Sequence, residues 1–368
     1  KIASGVDAQT LIGAIKQYEA LQRRALVPYH YAYLLFAGNS EEEQHNALLA
    51  RAREILTTVT ETTLFFELEL LKIDENVIAR LLTNPGVEPY RHYLDNTRAH
   101  APYALSEEVE QVIKRKDLSG KEAFVQLFDE VTSSFRYRFT MPGEKEERET
   151  TGEELLSLLY SPDRNAREKA FATFLNKHAE NSKVLVNCFN NILLDHGREA
   201  DLRNYPDLMT PTHLSSETEP EMVERLMEVT GQNYGLAQRY FRLKKKLLGY
   251  DQLKNSDLYA PLGETARKFS YEEEKELVLS SLDEFSGEMA ARAQAILEQG
   301  HTDVFPRPGK SGGAFCMGIL PEWKPYVMLN FTGNLRDVST LAHELGHGVH
   351  YSLSGRQNLF HYHAPLPM

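Results

Sequence analysis

The stretch DVSTLAHELGHGVHYSLS, residues 337–354, predicts an amphipathic helix that carries both core-forming and reactive side chains. At about 100° per residue, its apolar side chains gather on one arc and its histidines share the opposite, polar side. The apolar arc comprises Val338, Leu341, Ala342, Leu345, Val349 and Leu353, and the polar side comprises His343, His347 and His350. Because histidines packed only in the core would share the apolar arc, we interpret the polar side as a surface that binds a ligand.

Within this helix, His343-Glu344-Leu345-Gly346-His347 reads H-E-x-x-H. Positions i and i+4 lie on one face of a helix, so the two imidazoles can occupy neighbouring corners of a tetrahedral zinc ion. Glu344 is then placed to act as the general base toward a zinc-activated water. The alternative is a helix with ordinary histidines, but in a chain of this length the motif arises by chance at about one per cent.

A zinc peptidase site needs a third protein ligand, which the helix itself does not provide. The metzincin pattern is excluded, because it requires glycine and histidine where His350 and Leu353 stand. His350 lies a turn too far along to share the ion with His343, so a supporting or substrate-facing role is favoured. His361 and His363 are further candidates, although a loop with chance histidines explains them more simply. A glutamate from a following helix remains the other option.

Apolar residues recur at helical spacing over most of the chain. The predicted helices cover residues 8–24, 42–72, 106–136, 152–180 and 220–248. Ser40, Ser161 and Ser270 are predicted to begin helices, with Pro162 as a first helical residue. Residues 141–154 are polar and carry proline and glycine, which indicates a loop or hairpin.

After residue 300 the sequence becomes rich in glycine, proline and aromatic residues, and residues 325–331 are typical of a strand. The motif helix is predicted to follow, capped by Asn334 or Asp337 and ending near Ser354, with Gly355 after it. Gly346 and Gly348 are costly inside a helix, which indicates that something packs closely against them.

The overall composition excludes several classes of function. The 368 residues are 42% hydrophobic and carry a formal net charge of −12, which argues against a nucleic-acid binder. The basic run at residues 242–248 is interpreted as a solvated helix face. No apolar run reaches the about 18 residues of a membrane span. Two widely separated cysteines, with no apolar leader after Lys1, favour a cytoplasmic protein.

Three motifs in order carry a family resemblance: PGKSGGAFCMG at residues 308–318, PYVMLNFTGN at residues 325–334, and the motif helix. Together they resemble the zinc oligopeptidases related to thimet oligopeptidase, specifically the oligoendopeptidase F branch. The resemblance is sharp over residues 308–354 and loose elsewhere. It implies a mainly α fold, a large helical bowl or clam with a small β-sheet beside the active-site helix, whose channel admits short peptides.

The resemblance also implies site residues and an extent. His343 and His347 would be zinc ligands and Glu344 the general base, with one Zn²⁺ per complete site. In that family the third ligand is a glutamate on the next helix, so we expect it beyond Met368, in a missing C-terminal portion. On this interpretation residues 1–115 form an N-terminal helical domain and residues 116–368 the N-terminal part of the catalytic domain.

Candidate substrate-binding residues flank the motif helix. An edge strand beside a zinc helix can pair with an extended peptide through backbone hydrogen bonds, and residues 326–331 are the predicted edge. Gly312, Gly313 and Ala314 are predicted to form a flexible loop over the peptide. The full candidate set is Gly312, Gly313, Ala314, Tyr326, Met328, Asn330 and His350. The simpler interpretation of these segments is an ordinary sheet and turn.

The sequence therefore predicts a zinc-dependent endopeptidase that hydrolyses short oligopeptides, with no nucleic-acid or membrane partner. One alternative keeps the fold but makes this chain inactive alone, for want of the third ligand. The other is a non-catalytic helical peptide-binding protein. Zinc stoichiometry separates the three, because a complete enzyme holds one tightly bound ion per chain.

Overall fold

In a computed structural model, which describes residues 5–263, 267–298 and 300–367, the chain is mainly helical with little β-structure, as predicted. The α-helices are α1 (Ala8–Gly38), α2 (Glu43–Leu71), α3 (Glu75–Leu81), α4 (Arg91–Ala99), α5 (Glu107–Ser119), α6 (Lys121–Ser133), α7 (Gly152–Ser157), α8 (Arg164–Glu180), α9 (Ser182–Arg203), α10 (Thr210–Ser216), α11 (Pro220–Leu247), α12 (Tyr271–Phe285), α13 (Gly287–Leu297) and α14 (Leu335–Ser354). The strands are β1 (Tyr137–Phe139), β2 (Arg148–Thr150), β3 (Thr302–Asp303), β4 (Phe315–Met317) and β5 (Tyr326–Met328). Among the described helices, none combines the length and apolar character that a membrane crossing requires.

The first two helices form a long antiparallel pair. Asp7 caps α1 by accepting a hydrogen bond from the Thr10 backbone N–H at 2.8 Å. The helix then continues through Pro28 to Gly38, so the predicted end near residue 24 is wrong. Phe36 of α1 and Leu49 of α2 are buried together, and this packing extends the helix beyond the part that the apolar period predicts.

Two of the long predicted helices are each divided. Residues 106–136 form α5 and α6, with Gly120 between them. Residues 152–180 form α7, a 3₁₀ turn and α8. The N-cap of α8 is Asp163, whose carboxylate accepts from the Asn165 backbone N–H at 2.9 Å, so the prediction of Ser161 is wrong. Ser270 caps α12 through a reciprocal capping box with Glu273, as predicted.

A hairpin joins α6 to α7. Strands β1 and β2 pair antiparallel, with Tyr137 opposite Thr150, so residues 141–154 contain a hairpin turn as predicted. Thr151 then begins α7 through a capping box with Glu154. This arrangement places Glu153 in the first turn of α7, beside the C-terminal part of the molecule.

The three-stranded sheet beside α14 has the order β3-β5-β4. Strand β5 is parallel to β3 on one side and antiparallel to β4 on the other. The prediction that residues 326–331 form the sheet edge is therefore wrong, because both sides of β5 are occupied by other strands. The edge strand that follows the glycine loop is β4, which a sequence pattern of only three residues did not distinguish.

Helix α14 begins and ends where the sequence predicts. Asp337 Oδ2 accepts from the backbone N–H groups of Asn334 at 2.9 Å and Thr332 at 2.8 Å, which holds the first turn. Gly355 is the C-cap. The apolar side of α14 is buried against α12, α13 and the sheet, with Leu341 and Leu345 fully buried. The helix that carries the motif is therefore held on its apolar side by the core.

Helix α11 is different. Of its residues, all of which the structure describes, only Lys244 is buried, and its Nζ donates to the Leu258 carbonyl at 2.6 Å. The interpretation of residues 242–248 as a solvated face is therefore wrong at Lys244. The Leu258 carbonyl, which follows the helix end, accepts a hydrogen bond from this ammonium, and charge patterning along one helix does not reveal that contact.

Candidate metal centre and adjoining cavity

The two histidines of the motif converge on one point. Nε2 of His343 and Nε2 of His347 lie 3.1 Å apart, with the ring planes at 87° to each other. Two nitrogens bound to one tetrahedral zinc ion at about 2.0–2.1 Å would be separated by about 3.3 Å. The spacing of the two Nε2 atoms therefore fits a pair of zinc ligands, as the i, i+4 register predicts.

Glu344 lies beside this pair and is buried, with only 6% of its surface exposed. Burial raises the pKa of Glu344, while the charge of His343 and a hydrogen bond from the Cys316 backbone N–H offset part of the rise. Cys316 belongs to β4, so the edge strand holds the carboxylate in place. A carboxylate with a raised pKa is a stronger base, and a general base toward water benefits from that change.

His347 is held in the form that a metal ligand needs. Burial lowers the pKa of His347, and the neighbouring His343 and His350 lower it further. The imidazole is therefore neutral at neutral pH, with a lone pair free for a cation. His350 lies close enough to His347 to contribute to this effect, and its predicted supporting or substrate-facing role stays a prediction.

A cavity of about 710 Å³ opens in front of the motif. Six residues of α14 line it: Arg336, Asp337, Ser339, Thr340, His343 and Glu344. The opposite walls come from α7, from Tyr160 and Tyr259, and from the loop before β4. Of the predicted substrate-binding residues, Gly313, Ala314 and Asn330 line this cavity, and Gly312 lines a smaller one next to it.

The glycine loop is held from two sides. Glu153 Oε1 accepts a hydrogen bond from the Gly313 N–H at 2.8 Å. The Asn330 amide donates to the carbonyls of Ser311 at 2.9 Å and Gly313 at 2.8 Å. Gly313 has a φ of +76°, a backbone conformation that favours glycine. Sequence analysis missed Glu153, because its partner is 160 positions away and the local pattern marks only a helix start.

Tyr326 and Met328 lie elsewhere. Met328 is buried, and Tyr326 stacks on His301 with ring centroids 4.5 Å apart. Both line a separate apolar cavity of about 650 Å³ between α1 and the sheet. The structure therefore does not bring these two predicted residues to the cavity that contains His343.

The two motif glycines differ from each other. A Cβ on Gly348 would lie 2.6 Å from Ile296 Cδ1, so the prediction of close packing is confirmed there. A Cβ on Gly346 would meet nothing within 4 Å, so the same prediction is wrong for Gly346. Helix propensity marks both residues equally, whereas only tertiary contacts distinguish them.

Among the residues that the structure describes, no third ligand lies near the pair. Among the described ranges, no group of three or more histidine, cysteine, aspartate or glutamate side chains converges as a metal site. His361 Nε2 lies 3.1 Å from the Tyr93 backbone nitrogen, and His363 Nδ1 lies 3.5 Å from the Tyr351 hydroxyl. These contacts give both histidines roles in packing the C-terminal segment against neighbouring elements.

The fold is shared with solved peptidase structures. A crystal structure of oligoendopeptidase F from Enterococcus faecium is 27% identical, with a TM-score of 0.65 over 80% of this chain and 57% of that one. A structure of PZ peptidase A with an inhibitor has a TM-score of 0.76 at 17% identity, over 94% of this chain and 64% of that one. The second likeness concerns the fold alone.

The chain belongs to peptidase family M3, whose family model matches residues 157–366. A second model, described as oligopeptidase F, matches residues 69–137. The predicted boundary near residue 115 stays a prediction.

Curated relatives match over nearly the whole chain. An oligoendopeptidase F homologue of Borreliella burgdorferi is 26% identical over 94% of this chain, and oligopeptidase PepF of Bacillus subtilis is 24% identical over 95%. The matched part is 58% of the first relative and 52% of the second, so the chain spans little more than half their length. The predicted resemblance to the oligoendopeptidase F branch is thereby confirmed.

Proposed function

We propose that this protein is a zinc-dependent endopeptidase that hydrolyses short oligopeptides. One observation carries the proposal: the Nε2 atoms of His343 and His347 converge at 3.1 Å, with the buried Glu344 beside them, at a cavity of peptide size. Membership of peptidase family M3 supports the same activity. The cytoplasmic location inferred from the sequence stays a prediction.

His343 and His347 would hold the zinc ion through their Nε2 atoms. When bound, zinc supplies Lewis-acid activation of water and of the scissile carbonyl. Glu344 takes a proton from the attacking water and passes it to the leaving amine nitrogen. Its raised pKa favours the first step, because the carboxylate accepts the proton more readily. A third protein ligand, by resemblance a glutamate, is expected from outside the described residues.

The peptide would lie between α14 and the start of β4. Gly313 and Ala314 line the cavity and lead directly into β4, the strand at the sheet edge. An extended peptide pairing with this edge gains backbone hydrogen bonds that require no particular side chain. Gly313 donates a hydrogen bond to Glu153 and accepts one from Asn330, and these contacts hold the segment in place before the peptide arrives.

Zinc content after exhaustive dialysis tests the ligand assignment. We expect one zinc per complete site, and we expect His343→Ala and His347→Ala each to lose it. His92→Ala, which removes a histidine whose side chain is 60% exposed on α4, is the matched control and should keep the metal. Stoichiometric zinc in either motif variant would contradict the assignment.

The same samples separate the two alternatives. A chain that is inactive alone would bind zinc weakly, lose it on dialysis and cleave no peptide, yet still bind less zinc after His343→Ala. A non-catalytic peptide-binding protein would bind peptide and show no zinc binding in titration, with or without the histidines.

A further inference from the structure

Arg336 stands in the first turn of α14, on the same side as the zinc motif. It precedes His343 by seven residues, which is almost two full helical turns, so the two side chains share one stripe of the helix. Thr340 lies between them on that stripe, and all three line the 710 Å³ cavity. The arginine therefore faces the space that the proposed substrate occupies.

Two tyrosines hold the guanidinium group. Arg336 Nη1 donates to the Tyr160 hydroxyl at 3.2 Å, and the guanidinium carbon lies 5.8 Å from the centroid of the Tyr259 ring. The two tyrosine rings are themselves 5.1 Å apart. Because the aromatic pair restricts the arginine, its remaining N–H donors keep a defined direction into the cavity.

The carboxylates around Arg336 are bound to other groups. The Asp337 carboxylate accepts from Asn334 and Thr332, and the Glu153 carboxylate accepts from Gly313. No ion pair joins Arg336 to a carboxylate within the part of the chain that the structure describes. A guanidinium with free donors is suited to a planar carboxylate, which it can bind with two parallel hydrogen bonds.

The direction of β4 determines which end of a peptide reaches Arg336. Gly313 and Ala314, at the beginning of β4, line the cavity, so this cavity lies at the N-terminal end of the strand. Antiparallel pairing is the more stable arrangement and places the C-terminal residues of a peptide at that end. The free carboxylate of a short peptide then points toward Arg336.

The spacing along α14 sets the distance to the scissile bond. Seven residues at about 1.5 Å each separate Arg336 from His343 by about 10.5 Å. An extended peptide covers about 3.3–3.6 Å per residue, so about three residues span the gap. The scissile bond would therefore lie about three residues before the C-terminus.

We propose that Arg336, held by Tyr160 and Tyr259, binds the C-terminal carboxylate of the peptide and places the scissile bond about three residues before it. The proposal rests on the proposed peptidase function and names its substrate class: short peptides with a free C-terminus. A local cation is needed for this role, because the chain as a whole carries a net charge of −12 and repels anions.

Binding tests the carboxylate site without turnover. The probe is a hexapeptide whose N-terminal amine carries the fluorophore, prepared as the free acid and as the C-terminal amide and titrated by fluorescence anisotropy into the Glu344→Gln variant with zinc present. We expect the free acid to bind about tenfold more tightly, and Arg336→Gln to abolish the difference by weakening the free acid alone. Arg239→Gln, which removes an exposed charge on α11, should retain the preference.

Two results would overturn the proposal. One is equal binding of the free acid and the amide to the protein that retains Arg336. The other is a preference for the free acid that persists in Arg336→Gln.

The position of cleavage gives a readout that a purely structural arginine would not change. When one residue is added to the C-terminus of the peptide, the cut should move by one residue, and in Arg336→Gln it should no longer follow the C-terminus. If the cleavage position does not follow the peptide C-terminus in the unaltered protein, this inference is contradicted, but the proposed peptidase function is not. If no peptide is cleaved, or if cleavage does not depend on Glu344, the proposed function is contradicted instead.

Discussion

Helices α14 and α11 are both long and amphipathic in sequence, yet their surroundings are opposite. The 20-residue α14 buries Leu341 and Leu345 completely against α12, α13 and the sheet. The 28-residue α11 buries only Lys244 and leaves large apolar side chains such as Leu226, 64% exposed, in solvent. Periodicity thus predicts that a helix forms, but not whether another element covers its apolar side.

The difference has a functional consequence. The proposed zinc ligands would have to be held to within a fraction of an ångström, and α14 is suited to this because its apolar side is fixed in the core. The convergence of His343 and His347 is therefore a property of the packing beneath them as much as of their spacing. No comparable packing fixes the side chains of α11.

The largest expected difference between the two helices comes from truncating one leucine in each. Leu345→Ala should lower the free energy of unfolding by about 2–5 kcal/mol, because it leaves a cavity in a closely packed core. Leu226→Ala on α11 should change it by no more than about 0.5 kcal/mol. Chemical denaturation of both variants measures this, and equal losses would show that α11 is covered as well as α14.

Replacing a glycine by alanine should change the free energy of unfolding by a smaller amount, with opposite signs in the two helices. Gly348→Ala should destabilise the protein by about 1–2 kcal/mol, because the new Cβ would lie 2.6 Å from the buried Ile296 side chain. Gly235→Ala in α11, where nothing lies within 4 Å, should stabilise it by about 0.5–1 kcal/mol. Thermal unfolding of the two variants checks the signs, and stabilisation by both would mean that α14 packs more loosely than described.

A buried carboxyl beneath α14 adds a dependence of stability on pH. Glu274 of α12 is 1% exposed, and neither carboxyl oxygen has a hydrogen-bond partner among the described residues. Burial raises the pKa of Glu274 from 4.5 to about 7, and the nearby Asp337 adds to the rise. In the unfolded chain the group ionises near its ordinary value, whereas in the folded protein it stays protonated until about pH 7.

Stability should therefore fall as pH rises from about 4.5 to about 7 and then level off, with a total loss on the order of 3 kcal/mol. Glu274→Gln should remove this part of the pH dependence, while Glu224→Gln on the exposed surface of α11 should leave it in place. Unfolding midpoints across this pH range provide the measurement. An unchanged slope in Glu274→Gln would contradict the raised pKa.

Much of the site was predictable because its chemistry is local. The register of His343 and His347, the position of Glu344 between them and the bounds of α14 all follow from one helix and its caps. The spacing of apolar residues alone could not predict three other features, because packing and individual side-chain hydrogen bonds decide them. These are the end of α1, the break at Gly120 and the N-cap at Asp163.

The rest of the cavity depends on contacts distant in sequence. Glu153 meets Gly313 across 160 positions, and Arg336 meets Tyr160 across 176. The order of strands in the sheet was not predicted either, because strands of two or three residues are too short for their sequence pattern to identify the edge strand. One sequence without its fold contains no signal for such pairings.

The most direct test of the proposed mechanism is the peptide-cleavage rate of Glu344→Gln, measured beside its zinc content. We expect the variant to keep zinc at the level of the unaltered protein and to lose cleavage by about 10²–10⁴-fold, because the general base is gone while both proposed ligands remain. Cleavage at an unchanged rate with zinc still bound would contradict the assignment of Glu344 and, with it, the proposed mechanism.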